Sequence, residues 1–335
     1  MTPQENRQSD HGIVAPADFS AAWWCRNPHA QTLWPYVFRT GPQPTFRRQR
    51  FQLPDGDYLD LDWAGDDSGP ISVLLHGLEG SSHSHYIRRT TNALLQHKFR
   101  VVVMHFRGCS GVPNALPRSY HSGDTGDIAT VVQTLCIQQP QTRLVAIGFS
   151  LGANVLLKWL GETRKINPLT AAVAVSTPFE LHHAADRMEQ GLSKLYQWQL
   201  VGALRRSTAQ KFRHMPCPVD LTNLSKLKTF RQFDGQITAP LHGFTDAEDY
   251  YQRCSSRPFL RHICVPTLIL HARDDPLMTL EVVPSASELS PSIRLELSDR
   301  GGHAGFVSGV IPGRSRYWLD KRIPEYLSSH ISNSG

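Results

Sequence analysis

Gly148-Phe149-Ser150-Leu151-Gly152 is the stretch on which the fold turns. It has the form G-x-S-x-G, a sharp strand-to-helix turn that lifts a serine hydroxyl clear of a sheet edge. Five such residues can arise by chance, so the flanks decide. Before them, Arg143-Leu144-Val145-Ala146-Ile147 is a short apolar run that reads as a buried strand. After them, Ala153 to Leu160 carries apolar residues at helical spacing. Strand, tight turn and helix are the setting that a strained serine needs, and Gly148 and Gly152 leave room for it.

Similar buried runs lie on either side. Ile71 to Leu75 ends at His76-Gly77, and Arg100 to His105 leads into Phe106-Arg107-Gly108. Ala171 to Val175, Thr267 to His271 and Ile293 to Leu297 complete the set. Helices are expected near Tyr86–His97, Asp124–Gln138 and Arg316–His330. Two alternating segments, Phe46–Leu53 and Tyr58–Trp63, flank the turn Pro54-Asp55-Gly56-Asp57 and read as an antiparallel hairpin. Strands alternating with helices call for an α/β architecture, a mostly parallel sheet with helices on both faces. Sites in such sheets lie at the carboxyl ends of strands. Residues 1–22 read as a flexible N-terminal arm and 23–335 as one domain. Within it, 176–264 has no clear buried strand and reads as an inserted helical cap.

Composition narrows the classes. The 335 residues carry a formal charge of +6. The basic excess at Arg47-Arg48-Gln49-Arg50 and from Arg205 to Arg213 reads as solvated surface, since no nucleic-acid motif accompanies it. No run approaches the roughly 20 apolar residues of a membrane span. Met1 to Asp10 is polar and lacks a signal core, so a cytoplasmic location is expected for a bacterial source. Six cysteines without paired spacing read as reduced, mostly buried thiols. No metal signature is present, and no cofactor is expected.

A serine hydroxyl is a poor nucleophile unless a base lies within hydrogen-bond reach and a third group orients that base. After a G-x-S-x-G turn the partners follow in the order acid, then histidine. His303, in Arg300-Gly301-Gly302-His303-Ala304-Gly305-Phe306, follows the final strand. The acid lies in His271-Ala272-Arg273-Asp274-Asp275-Pro276. Asp275 is chosen for its place before proline, with Asp274 the alternative. An oxyanion needs preorganised donors. Leu151 N–H and Leu78 N–H, the latter in His76-Gly77-Leu78-Glu79-Gly80-Ser81-Ser82, are the candidates. His76 is expected to order that loop, and Arg107, Cys109 and His121-Ser122-Gly123-Asp124 to serve structure, with Ser122 or Asp124 capping a helix. The expected reaction class is hydrolysis of a carbonyl substrate, foremost a carboxylic ester, through an acyl-enzyme. Acyl transfer to an alcohol or thiol would use the same residues. A non-catalytic binding protein on this fold is the third reading.

Together with Asn27-Pro28-His29-Ala30-Gln31-Thr32, Phe106-Arg107-Gly108-Cys109-Ser110-Gly111 and Gly301-Gly302-His303-Ala304-Gly305-Phe306, these motifs resemble the YheT-like branch of the α/β-hydrolase superfamily, hydrolase family 4. The resemblance runs from about Trp23 to the end of the last helix. It implies an eight-stranded sheet whose second strand is antiparallel, a cytoplasmic serine carboxylesterase, and a Ser-Asp-His charge system at Ser150, Asp275 and His303. Its eukaryotic members act on medium-chain acyl esters or phospholipids, some as acyltransferases. The implied partner is a small-molecule ester or lipid-like acyl substrate of short to medium chain. Neither nucleic acid nor an integral membrane segment is expected, and the oligomeric state is not read.

Overall fold

A computed structural model describes residues 10–38, 41–213 and 215–332. Its strands in chain order are β1 (Ile13–Pro16), β2 (Arg47–Gln52), β3 (Tyr58–Ala64), β4 (Ile71–Leu75), β5 (Arg100–Met104), β6 (Leu144–Phe149), β7 (Ala171–Val175), β8 (Thr267–Ala272) and β9 (Ile293–Ser298), with a small pair β10 (Val307–Ser308) and β11 (Arg316–Tyr317). The helices are α1 (Pro28–Val37), α2 (His85–Gln96), α3 (Gly126–Gln138), α4 (Leu151–Thr163), α5 (Leu181–Met188), α6 (Ser193–Lys211), α7 (Phe230–Phe233), α8 (Ala239–His242), α9 (Ala247–Cys254) and α10 (Leu319–Ser332).

Among the described residues nine strands form one sheet in the order β1-β9-β8-β7-β6-β4-β5-β3-β2. β3 runs antiparallel to both its neighbours, and the other pairs are parallel. Every residue of β4 to β8 is buried, which is why each reads as an unbroken apolar run. Side chains alternate between two cores. Val73, Leu75, Ala146 and Ile269 meet Ile128 and Val132 of α3 and Leu156 and Leu160 of α4. Leu74, Val103, Ile147 and Leu270 meet Ile87 and Leu94 of α2 and Ile323 and Leu327 of α10. Each fully buried aliphatic side chain stabilises the fold by about 1.5–3 kcal/mol, so the carboxyl ends of these strands form a stiff platform.

Two expectations are corrected at the β1 edge. The expected loose arm over residues 1–22 is, from Ile13, part of the sheet (residues 1–9 lie outside those described). Ile13–Pro16 pair in parallel with Arg294–Leu297 and add a ninth strand to the expected eight. Its side chains are exposed or half-buried, so backbone pairing holds it where no apolar pattern announces it. At the opposite edge, the basic run of β2 is exposed, as expected, and its arginines are also paired. Arg48 pairs with Asp62 at 2.7 Å and Arg50 with Asp60 at 3.0 Å, both aspartates lying on β3. Charged side chains on an edge strand also discourage pairing with other chains.

Residues 176–264 contribute no strand to the sheet. The helical stretch Leu181–Leu204 divides into α5 and α6 around Gly191, whose φ is +50°. Two small apolar clusters hold the segment together. Leu181, Ala185, Tyr250 and Tyr251 form one, and Val201, Leu227, Phe233 and Ile237 the other. The cysteines carry no disulfide, but only Cys25 and Cys254 are fully buried.

Candidate active site

Ser150 joins β6 to α4 with φ 52° and ψ −119°, a conformation that costs a side-chain-bearing residue on the order of 1–3 kcal/mol. Neighbouring glycines make it possible. A Cβ on Gly148 would lie 2.5 Å from Gly152 O, and one on Gly152 would lie 2.5 Å from His76 O. Ser150 N–H donates to Val175 O at 2.9 Å, tying the turn to the end of β7.

His303 and the two candidate acids meet at the ends of β8 and β9. His303 Nδ1–H donates to Asp275 Oδ2 at 2.8 Å, so Asp275, not Asp274, holds the imidazole. Burial alone would raise the Asp275 carboxyl. The charge of His303 and this hydrogen bond reverse that and leave it below the usual carboxylate value. Asp274 instead accepts Gly302 N–H at 2.9 Å through Oδ1, and burial raises its carboxyl. The adjacent aspartates thus serve one loop, one gripping the ring and the other the backbone beside it. No hydrogen bond joins Ser150 to His303 among the described residues, and such contacts often tighten only when substrate is bound.

Sequence reasoning assigned no role to the residues that seat this loop. Thr32 Oγ1 of α1 accepts His303 N–H at 2.9 Å, and Ser176 Oγ accepts Ala304 N–H at 2.9 Å. Gln31, fully buried, clasps Val307 by accepting its N–H at 2.6 Å and donating to its carbonyl at 2.9 Å. The fit is tight, because a Cβ on Gly305 would lie 2.1 Å from Gln31 O. The signal was the Asn27–Thr32 motif itself, whose Asn27 caps α1 by accepting the N–H groups of His29 and Ala30.

The loop after β4 supplies the other half of the site. His76 is buried, and burial with the nearby His105 charge pulls it down to about 3. Kept neutral, its Nδ1–H donates to Gly77 O at 2.7 Å and its Nε2 accepts Phe106 N–H at 3.1 Å. Gly77 N–H donates to Tyr86 OH, Glu79 N–H to Tyr120 OH and Gly80 N–H to Gly77 O. Leu78 N–H has no partner among the described residues, and neither has Leu151 N–H at the start of α4. Unpaired backbone donors are rare in folded proteins. Here both residues line the cavity that Ser150 faces.

That cavity is about 370 Å³ and extends under 176–264, where Leu181, Met188, Phe233 and Ile237 line it, with Leu277 and Met278 of the loop after β8 beside them. Its volume suits a small organic ligand. The other polar residues singled out in the sequence make structural contacts. Arg107 is buried against Asp57 and Asp127. Ser122 bonds Tyr250 OH and Asp124 pairs with Arg118, so neither caps α3 as the sequence suggested. The Cys109 thiol is pushed well up, first by burial and then by the Glu79 charge, and is held un-ionised. Away from the cavity, Glu180, His182 and His183 could together reach a metal ion, but Arg257 Nη1 already holds Glu180 at 2.5 Å.

A serine on a strand-to-helix turn, an Asp–His pair after the ends of β8 and β9 and two N–H groups left unpaired among the described residues define the α/β-hydrolase class. The chain belongs to the α/β-hydrolase family, whose model, described as alpha/beta hydrolase fold, matches residues 72–310, and to its YheT-like branch. It is 40% identical over 311 residues to the "Putative esterase YheT" of Escherichia coli (strain K12), covering 91% of each chain. It is 29% identical to the Homo sapiens "Phospholipase ABHD3", covering 97% of this chain and 82% of that one. It is 31% identical to the Saccharomyces cerevisiae "Monoacylglycerol lipase", covering 85% and 65%. Among solved structures, the Pyrococcus furiosus esterase Pf2001 shares the fold, with TM-score 0.56 and 18% identity over 95% of this chain and 98% of that one. No helix among the described residues is long and apolar enough to cross a membrane.

Proposed function

We propose that the protein is a serine carboxylesterase acting on short- to medium-chain carboxylic esters. The observation that carries this reading is the 2.8 Å bond from His303 to Asp275, beside the Ser150 turn. Ser150 Oγ attacks the ester carbonyl while His303 Nε2 takes its proton. Leu78 and Leu151 N–H groups receive the oxyanion, and the tetrahedral adduct collapses as His303 protonates the departing alcohol. Water then repeats the cycle on the acyl-enzyme and frees the acid. Asp275 keeps the ring in the tautomer that leaves Nε2 free and stabilises its charged form.

Residues 176–264 act as a cap that receives the acyl chain. The apolar lining and the names of the relatives, esterase, phospholipase and lipase, support a lipid-like ester as substrate. A cytoplasmic location, which the sequence resemblance implies, belongs to the same reading. Turnover of p-nitrophenyl esters from acetate to palmitate tests it. An optimum at one chain length, abolished in Ser150→Ala, is expected. Folded wild-type protein that turns over none of the series would contradict it. Added alcohols that divert the acyl group into a new ester would instead favour the transferase variant of the same chemistry.

A further inference from the structure

Gly80 N–H closes a turn on Gly77 O at 3.0 Å, with Leu78 and Glu79 as its central residues. Glu79 has φ 52° at the third position of the turn, where glycine is the easier residue. The same Gly77 carbonyl also accepts from His76 Nδ1. Two donors thus fix one side of the Gly77–Leu78 peptide plane, and the Leu78 N–H on its other side is left for the cavity.

Glu79 closes a ring around this turn. Its N–H donates to Tyr120 OH at 2.9 Å, and that hydroxyl donates back to Glu79 Oε1 at 2.9 Å. Tyr120 is itself held against Phe106, their rings stacked 5.2 Å apart. The second carboxylate oxygen accepts from Ser207 Oγ of α6. The end of that helix is pinned nearby, where Lys211 Nζ donates to Asn114 Oδ1 at 2.7 Å and to Arg118 O at 2.5 Å. One carboxylate therefore joins the turn, the core and a helix of the 176–264 segment.

We propose that Glu79 is a positioning residue that makes the setting of the Leu78 N–H, the oxyanion donor, depend on the seating of α6. The inference rests on the esterase reading. A glutamate stands where glycine would be easier because its side chain carries the connection. When α6 is seated, Ser207 and Tyr120 share the carboxylate and the turn is held. When α6 lifts, one of those ties is lost and the donor loosens.

Glu79→Gly separates this role from simple turn-making, because glycine suits the backbone and removes both side-chain ties. Expected for Glu79→Gly is a fall in kcat of about 10²-fold, the scale of losing one oxyanion donor. KM should change by less than about threefold, Tm should not fall, and affinity for a boronic acid transition-state mimic should drop in parallel with kcat. Glu79→Gln retains an acceptor for Tyr120 and a donor for Ser207, and should recover most of the activity. Ser207→Ala, which leaves the turn intact, should lower kcat by about tenfold, also without a loss of Tm. Wild-type kcat and boronate affinity in Glu79→Gly, or kcat loss that only tracks Tm, would overturn the proposal while leaving the esterase reading intact. Wild-type protein with no turnover and no fluorophosphonate adduct at Ser150 would overturn both.

Discussion

The strand-end loops and the helical segment 176–264 enclose the same cavity but are built on different principles. In the loops, backbone groups set the geometry. Ser150 N–H is tied to Val175 O and Ala304 N–H to Ser176, both at the end of β7, and His303 N–H is tied to Thr32 of α1. In the helical segment, side chains do the fixing. Asp234, buried, accepts from Thr238 at 2.7 Å and Tyr251 at 2.7 Å between two small apolar clusters. On the proposed reading, the difference teaches that reaction chemistry would rest on the stiff part, and selection among substrates on the part held by individual side chains.

Breaking the stiff side should cost most. Ser150→Ala removes the proposed nucleophile, and kcat in the ester assay should fall by about 10⁶-fold with Tm near the wild-type value. Asp275→Asn keeps the shape but favours the wrong imidazole tautomer, and about 10⁴-fold should be lost. Asp274→Asn, which still offers an acceptor to Gly302 N–H, should cost far less. Equal losses in the two variants would blur the assignment that the 2.8 Å bond makes.

Changes in the helical segment should redirect activity more than abolish it. Met188 lines the cavity from α5, and Met188→Phe should shorten the space available to the acyl chain. The ratio of kcat/KM for long over short esters should fall roughly tenfold, the scale of a methylene or two in an apolar pocket. An unchanged ratio would remove the acyl chain from this part of the cavity.

The smallest effect on activity, and a useful one on stability, belongs to Asp234. Burial pushes its carboxyl up to about 6, against the hydrogen bonds from Thr238 and Tyr251. The native state then binds this proton more tightly than the unfolded chain does. The stability linked to it is fully present below about pH 4, the unfolded value, and is lost as pH rises through about 6. Asp234→Asn should flatten that slope in denaturant titrations between pH 4 and 7, by on the order of 3 kcal/mol at most. A slope unaltered in the variant would place the titration elsewhere.

The same contrast decides what could be read from sequence. The Ser150 turn, the Gly77–Gly80 loop and the His303 loop need glycine where backbones meet, so they leave fixed spacings. The alternating buried strands leave apolar runs. Asp275 was chosen over Asp274 only by its place before proline; which carboxylate faces the ring is a matter of direction within one turn, and only the fold shows it. β1 was missed because an exposed edge strand has no apolar face to betray it. Gln31 and Thr32 lie some 270 residues from the loop that they seat, and only the fold brings them to it. The helical segment was legible as helical and no further, since its tertiary contacts are individual side-chain choices with no repeating pattern.

Treatment of the wild-type protein with a fluorophosphonate, followed by intact-mass and peptide mapping, tests the central claim most directly. An assembled site predicts one adduct per chain, on Ser150, and none in Asp275→Asn over the same time. No adduct on folded protein, or an adduct on a different residue, would contradict the account.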